Sequence, residues 1–123
     1  MLQVGDIVVA RFDNWVDVEK NGEWKFRPAL VVHVYIGANG DTMVRVAKGT
    51  SNIGRVRETE FVIARTDASA FDASGLLKDT KFVLNDFVRV PEAGCKRIGV
   101  VAHSLTQRLV LAAGAAHKAG FLD

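Results

Sequence analysis

Arg27 is the residue in this sequence with the clearest potential for chemistry. It stands in Phe26-Arg27-Pro28-Ala29-Leu30-Val31-Val32, where one cation opens a strand pattern that is otherwise almost wholly apolar. A guanidinium presents several donors in a fixed plane and stays charged at every relevant pH, so it is suited to hold a phosphate. Proline restricts the backbone directly after it. The alternative interpretation is an arginine that forms an ion pair with an acid of the segment 13–23.

Two hydroxyl residues, Thr50 and Ser51, follow a predicted strand and form a second candidate site. A hydroxyl at a strand end can donate to a phosphate oxygen or orient a neighbouring arginine. Serine and threonine also stabilise turns through bonds to nearby backbone groups. The residue types alone leave both interpretations open.

His33 lies within the apolar run Ala29–Ile36 and could exchange protons near Arg27 at neutral pH. Strict alternation of side chains along a strand would place it on the face of Ala29 and Val31. The alternative is a packed strand histidine with one hydrogen bond. Further along, Arg45, Lys48, Arg55 and Arg57 are candidates for binding a row of phosphates.

Arg55 and Arg57 alternate along a predicted strand, so their side chains would share one face and could contact successive phosphates. An ordinary solvent-facing strand has the same pattern.

In the polar segment before Arg27, Trp15 and Trp24 could stack nucleic-acid bases for about 1–3 kcal/mol each. If the two rings are buried, they would hold this segment against the rest of the protein. A third possibility is that they form a contact between the two subunits of a dimer. Glu23, four residues before Arg27, fits a solvated acid of this segment.

Composition limits the class of protein. The chain has 123 residues, 49% apolar and 24% charged, which fits a single soluble domain spanning residues 1–123. A net charge of +2 is too small to indicate nucleic-acid binding by itself. Cys95 is the one cysteine, so an internal disulfide is impossible and a metal site built on cysteine ligands is not expected. We expect no cofactor. Without a transmembrane run or a signal-peptide pattern, we expect a cytoplasmic protein with no membrane partner.

Periodicity predicts a mainly β chain that ends in a helix. Residues 13–25 contain the turn dipeptide Asn21-Gly22 and are predicted to form a long loop or a protruding hairpin. The predicted strands are Ile7–Phe12, Ala29–Ile36, Thr42–Ala47, Arg55–Ala64 and Lys81–Val90.

The tail of the chain changes to a helical period. Ser104-Leu105-Thr106-Gln107 has the pattern of a capping box, and Gly120 is a fitting helix stop. The residues that share one apolar helical face are Leu105, Leu109, Ala112 and Ala116. We therefore expect a helix over about 104–119, packed on a small curved sheet or half-open barrel within residues 1–91.

Several segments, in their order and spacing, resemble the PemK/MazF-type toxins. Gly5-Asp6-Ile7-Val8 and Arg27-Pro28-Ala29-Leu30-Val31-Val32 are similar to the opening of that family. Val46–Ser51 resembles its strand end and hydroxyl-containing loop, and Ala73–Phe82 resembles the segment before a late strand. Lys96-Arg97-Ile98-Gly99 and the helix resemble its ending. The resemblance covers most of the chain.

This resemblance implies a fold, an activity and partners. The fold is an SH3-like, strongly curved antiparallel barrel of about five to seven strands with a C-terminal α-helix, usually in a homodimer. The activity is metal-independent cleavage of single-stranded RNA, in which the RNA's own 2′-hydroxyl attacks the adjacent phosphorus. A cognate antitoxin neutralises it. The reaction needs a proton acceptor, a proton donor and positive charge over the phosphate.

The resemblance also bears on individual residues. It implies that Arg27 is the catalytic arginine and that a strand-end hydroxyl, Thr50 or Ser51 here, acts with it. It also implies that an acid of the preceding loop, such as Glu23, can neighbour the arginine. Strict counting from Val46 puts Gly49 at the hydroxyl position. A catalytically inactive SH3-like module that binds nucleic acid or protein is therefore the alternative function, because such barrels serve many roles.

Overall fold

Six strands form one antiparallel sheet in this protein. The computed structural model describes residues 1–11 and 26–120. The strands are β1 (Asp6–Arg11), β2 (Phe26–Ile36), β3 (Thr42–Thr50), β4 (Glu60–Ile63), β5 (Thr80–Pro91) and β6 (Cys95–Val100). Within the described residues there are two α-helices, α1 (Ser69–Ser74) and α2 (Thr106–Lys118). The predicted mainly β fold with a C-terminal helix is confirmed.

The strands lie in the order β4-β5-β3-β2-β1-β6, with antiparallel neighbours throughout. In the described part of the chain β4 and β6 are the two edges, so the curved sheet is not closed into a barrel. β6 lies beyond residue 91 and was not among the predicted strands. The strand-rich part of the chain is therefore longer than predicted. β6 and α1 escaped prediction because neither segment has a strong apolar period.

Both faces of the middle of β2 are buried, which explains its continuous apolar run. On one face Leu30 packs into a cluster that includes Phe61 and Phe82. On the other face Val31 packs into a second cluster that includes Val46. All five of these side chains are fully buried. The strand that carries Arg27 is therefore held firmly on both sides.

Helix α2 covers the first of these clusters. Its predicted apolar face is confirmed, because Ala112 and Ala116 are buried and Leu109 packs beside them. The predicted capping box is wrong. Ser104 lies in a 3₁₀ turn, His103–Leu105, and the residue that precedes the helix, Leu105, makes no side-chain cap bond. No helix among the described residues is long and apolar enough to cross a membrane.

The end of α1 is pressed against β6, and this contact holds the loop that follows. Gly75 ends the helix in a left-handed conformation with φ of 71°. A Cβ atom on Gly75 would collide with the carbonyl oxygen of Ile98, and one on Gly99 would collide with the backbone of Ser74. Only glycine fits this close approach of two backbones. The loop after α1 is thus held in place beside the sheet.

Arg108 of α2 ties the helix to the segment after β4. Its guanidinium donates to the carboxylate of Asp67 and to the carbonyl of Val62, each at 3.2 Å. The backbone amide of Ala64 donates to the same carboxylate at 2.8 Å. Burial alone would raise the pKa of Asp67, but the bond from Ala64 and the pairing with Arg108 outweigh it and lower this pKa. The folded state therefore favours the ionised carboxylate.

We predict that Arg108→Gln destabilises the fold at pH 7 by at most about 1 kcal/mol, since water screens this half-exposed pair. Because the folded pKa of Asp67 is lowered, its stabilising effect is complete above the ordinary carboxyl pKa and disappears as pH falls through the lowered value. Urea unfolding at pH 7 and at about pH 3 tests this. The difference in free energy of unfolding between native protein and variant should be smaller at the lower pH. The prediction is contradicted if the free-energy difference is the same at both pH values. It is also contradicted if the control variant Lys118→Gln, on the same helix, destabilises the protein as much.

Candidate functional site

A groove of about 530 Å³ opens between the strands and the loop that follows α1. Its polar lining includes Arg27 of β2, Ser51 just after β3, and Lys78 of the loop. The apolar lining includes Val9, Leu76 and Ile98. Two cations and a hydroxyl therefore share one open cleft, which is an arrangement suited to an anion.

The position of Arg27 follows from strand pairing. In the β1–β2 register, Arg27 faces Ala10 and Pro28 faces Val9. The β2–β3 register pairs Ala29 with Lys48. The backbone of Arg27 is held on the β1 side, at the point where β2 begins to pair with the end of β3. Its side chain lies in the groove lining.

The two candidate hydroxyls have different surroundings. The Thr50 hydroxyl accepts a hydrogen bond from the backbone amide of Asn52 at 3.2 Å, as expected for a turn-stabilising residue. Ser51 is exposed and lines the groove together with Arg27. The structure therefore brings Ser51, rather than Thr50, into the groove lining.

Gly49, which strict counting placed at the hydroxyl position, has a packing role. A Cβ atom there would lie 2.9 Å from the carbonyl oxygen of Pro28 and 2.9 Å from Cγ2 of Thr80. It would also lie 3.0 Å from the ring of Phe82. The end of β3 can approach β2 and β5 this closely only without a side chain at position 49.

Lys78 and Arg65 are the residues that sequence reasoning missed. A second depression, of about 450 Å³, adjoins the groove and shares Ser51 and Lys78 with it; Arg65 and Asp79 also line it. The guanidinium of Arg65 donates to the carbonyl of Leu77 at 2.8 Å. The backbone amide of Arg65 donates to the carboxylate of Asp79 at 2.7 Å. Two cations, Lys78 and Arg65, and one acid, Asp79, therefore line the depression beside the groove.

The one sequence signal for Lys78 was its place in the segment Ala73–Phe82, which resembles a segment of the toxin family. The structure leaves the neighbouring Leu77 84% exposed. The Thr80 hydroxyl donates to the Lys78 carbonyl at 2.8 Å and so holds the backbone that presents the lysine.

His33 lies outside the groove lining, and its predicted facing is wrong. A bulge between Val31 and His33 shifts the register with β3 by one residue. Val31 is fully buried, whereas His33 is exposed and stacks on Tyr35 with ring centroids 5.6 Å apart. Val34 instead continues the buried face. An extra residue in one strand reverses the facing of everything after it.

The other predicted phosphate contacts are also placed elsewhere. Lys48 lies on β3 with its ammonium 3.6 Å from the carboxylate of Asp86 and does not line the groove. The predicted strand Arg55–Ala64 is too long, since β4 begins only at Glu60. Arg55 and Arg57 are exposed in the irregular segment before it and line a separate depression beside α2.

Trp15, Glu23 and Trp24 lie outside the described residues, and their predicted roles stay predictions. Among residues 1–11 and 26–120, no group of three or more His, Cys, Asp or Glu side chains could hold a metal ion.

Comparison with known proteins shows similarity at the level of structure. No protein-family model matches the chain, and no curated protein matches it. The Mycobacterium tuberculosis toxin MazF-mt6 superposes with a TM-score of 0.64 at 23% identity, covering 96% of this chain and 98% of the toxin. An Mtb toxin superposes at 0.55 with 24% identity, covering 73% and 91% of the two chains.

A third solved structure is an endoribonuclease in complex with its cognate antitoxin, from mycobacterial species. It superposes with a TM-score of 0.59 at 14% identity, covering 90% of this chain and 91% of the other. The chain therefore has the MazF/PemK-like toxin fold, as the sequence resemblance predicted.

We predict that Gly49→Ala destabilises the protein by about 1–3 kcal/mol, because the added methyl group has to displace the Pro28 carbonyl or the Thr80 and Phe82 side chains. Gly54→Ala is the matched control, since a Cβ atom there would meet only Asn52, at 3.7 Å. Urea unfolding of both variants provides the measurement. Equal stability of the two variants would show that the end of β3 has room for a side chain.

Proposed function

We propose that this protein is the endoribonuclease toxin of a type II toxin–antitoxin system and cleaves single-stranded RNA without a metal ion. The observation that carries this proposal is the open groove that Arg27, Ser51 and Lys78 share. The fold supports the class, because solved structures with the same fold include a MazF toxin and an endoribonuclease. Fold alone does not determine activity, and it is the residues of the groove that favour RNA cleavage.

The reaction we propose needs no nucleophile from the protein. The 2′-oxygen of the RNA forms a bond to the adjacent phosphorus, and the bond from phosphorus to the 5′-oxygen breaks. The 2′-hydroxyl gives its proton to water, and the departing 5′-oxygen takes one from water. The products are a 2′,3′-cyclic phosphate and a 5′-hydroxyl end.

The groove residues act on the charge that develops during this reaction. Negative charge builds on the non-bridging phosphate oxygens as the fifth bond to phosphorus forms. Arg27 and Lys78 neutralise that charge, and the Ser51 hydroxyl donates a hydrogen bond to one of the oxygens. A fixed donor of this kind contributes about 10²–10³-fold to the rate in other enzymes. Backbone pairing of β2 with β1 holds Arg27 before the substrate arrives.

The partners follow from the same proposal. The mycobacterial endoribonuclease of similar fold was solved with its cognate antitoxin, and we extend this kind of partner to the present chain. The homodimer and the cytoplasmic location stay predictions from the sequence. The single-stranded RNA substrate follows from the attack of a free 2′-hydroxyl in line with the leaving oxygen, which a flexible strand permits.

A second candidate function is a binding module of the same fold without catalysis. One observation favours it: no histidine, aspartate or glutamate is present among the described residues that line the groove. Such a protein would bind RNA in a salt-dependent way and leave it intact. Incubation of purified protein with single-stranded RNA separates the two functions, because only the proposed toxin produces new 5′-hydroxyl ends.

We predict that Arg27→Gln reduces RNA cleavage by at least about 10²-fold, because the variant has no cation over the phosphate at this position. Cleavage of single-stranded RNA in EDTA, followed by analysis of the fragment ends, is the measurement. Lys118→Gln, at the exposed end of α2, removes one charge outside the groove lining and should cleave at the native rate. A folded Arg27→Gln protein with native activity would remove Arg27 from the mechanism.

We predict that Ser51→Ala slows cleavage by about 10²-fold, whereas Thr50→Val retains most of the activity. The reason is that Ser51 lines the groove, while the Thr50 hydroxyl serves the turn at Asn52. Single-turnover rates at saturating RNA compare the two variants. If Thr50→Val is the slower enzyme, the donor role passes to Thr50.

A further inference from the structure

A second positively charged surface lies on the sheet, away from the groove. We call it the sheet patch and define it by five residues of β2, β3 and β5: His33, Tyr35, Arg45, Phe87 and Arg89. None of the five lines the groove. In the strand registers His33 faces Arg45, and Arg45 faces Arg89. Three basic residues therefore form one row across three neighbouring strands.

Aromatic rings flank this row. The guanidinium carbon of Arg45 lies 4.6 Å from the ring centroid of Phe87, and that of Arg89 lies 5.8 Å from the same centroid. Both distances are within the range of a cation–π contact. At the other end of the row, His33 and Tyr35 stack with an angle of 16° between their planes. The patch thus combines two neighbouring guanidinium groups with three aromatic rings.

The charges of the sheet patch are poorly compensated in the described structure. Like charges directly opposite each other on neighbouring strands destabilise a sheet, and Arg45 and Arg89 are such a pair. Within residues 1–11 and 26–120 neither arginine forms an ion pair. The Nε atom of Arg45 is buried there without a hydrogen-bond partner. An anion bound between the two guanidinium groups would remove the repulsion.

We propose that the sheet patch is a second binding surface for single-stranded RNA. Arg45 and Arg89 bind a phosphate, and the rings of His33 and Tyr35 stack an unpaired base. This inference rests on the proposed function, since it extends the same substrate beyond the groove. The rings favour RNA over an acidic peptide, because every base has a face that stacks on an aromatic side chain.

Strand β3 connects the two surfaces. Arg45 and Gly49 are four residues apart on it, which is at most about 13 Å along an extended strand. An RNA of several nucleotides can therefore reach both the groove and the sheet patch. Affinity should rise with RNA length until both surfaces are occupied. Each phosphate-binding cation that a variant removes should reduce the slope of log affinity against log salt by about 0.7.

The test compares a short and a long RNA, both 2′-O-methylated so that cleavage is blocked. The short one has about four nucleotides and the long one more than about 16, which brackets the length that one small barrel covers. Fluorescence anisotropy at several salt concentrations gives affinity and salt slope. We expect native protein to bind the long RNA at least about tenfold more tightly.

In the double variant Arg45→Gln/Arg89→Gln, this gain with length should disappear and the salt slope should become shallower. Tyr35→Ala should reduce the gain about five- to tenfold without changing the slope, because it removes stacking but no charge. Lys96→Gln/Lys118→Gln, with the same change of net charge at exposed sites, should keep the full gain. Circular dichroism and unfolding curves confirm that each variant is folded, and Tyr35→Ala keeps the test decisive if the double variant is not.

Several results would overturn the inference. If native protein gains affinity with length and both patch variants gain as much, RNA does not bind the sheet patch. If the double variant loses antitoxin binding or self-association but binds long RNA normally, the patch belongs to a protein partner. If native protein binds neither RNA, the proposed function itself fails, which distinguishes that failure from one of the sheet patch alone.

Discussion

The candidate site depends on how closely the end of β3 packs against β2 and β5. At Gly49 the backbone leaves no room for a Cβ atom between the Pro28 carbonyl and the Thr80 side chain. This packing brings Ser51, which follows the strand, into the same groove as Arg27. A wider separation would leave the arginine and the hydroxyl on different surfaces. Interiors packed at crystal density transmit such constraints with little relaxation.

A second contact completes the groove from the opposite side. The paired glycines, Gly75 and Gly99, let the end of α1 rest on the backbone of β6. The loop after α1 then presents Lys78, and the Thr80 hydroxyl holds its carbonyl. Two backbone approaches that require glycine therefore bring together cations from distant parts of the sequence. Rigid elements of this kind position charge before a substrate binds, which is how electrostatic catalysis works.

The protein has a small net positive charge, but several of its cations are grouped on two surfaces. A net charge of +2 would not draw attention to nucleic acid. The structure nonetheless collects Arg27 and Lys78 in the groove, and Arg45 and Arg89 across the sheet. Elsewhere acids compensate the cations, as Asp86 does beside Lys48 and Asp67 beside Arg108. Local field, and not total charge, is what an anionic ligand encounters.

The sequence by itself determined the elements with strong periods and placed Arg27 at the start of a strand. The apolar run of β2, the apolar face of α2 and the phrase around Arg27 were all readable, because each depends on neighbours close in the chain. Only the tertiary structure decided the facing of His33, the different surroundings of Thr50 and Ser51, and the place of Lys78 in the groove lining. A bulge, a turn and a backbone contact between distant segments set these, and none of them has a period that a sequence displays.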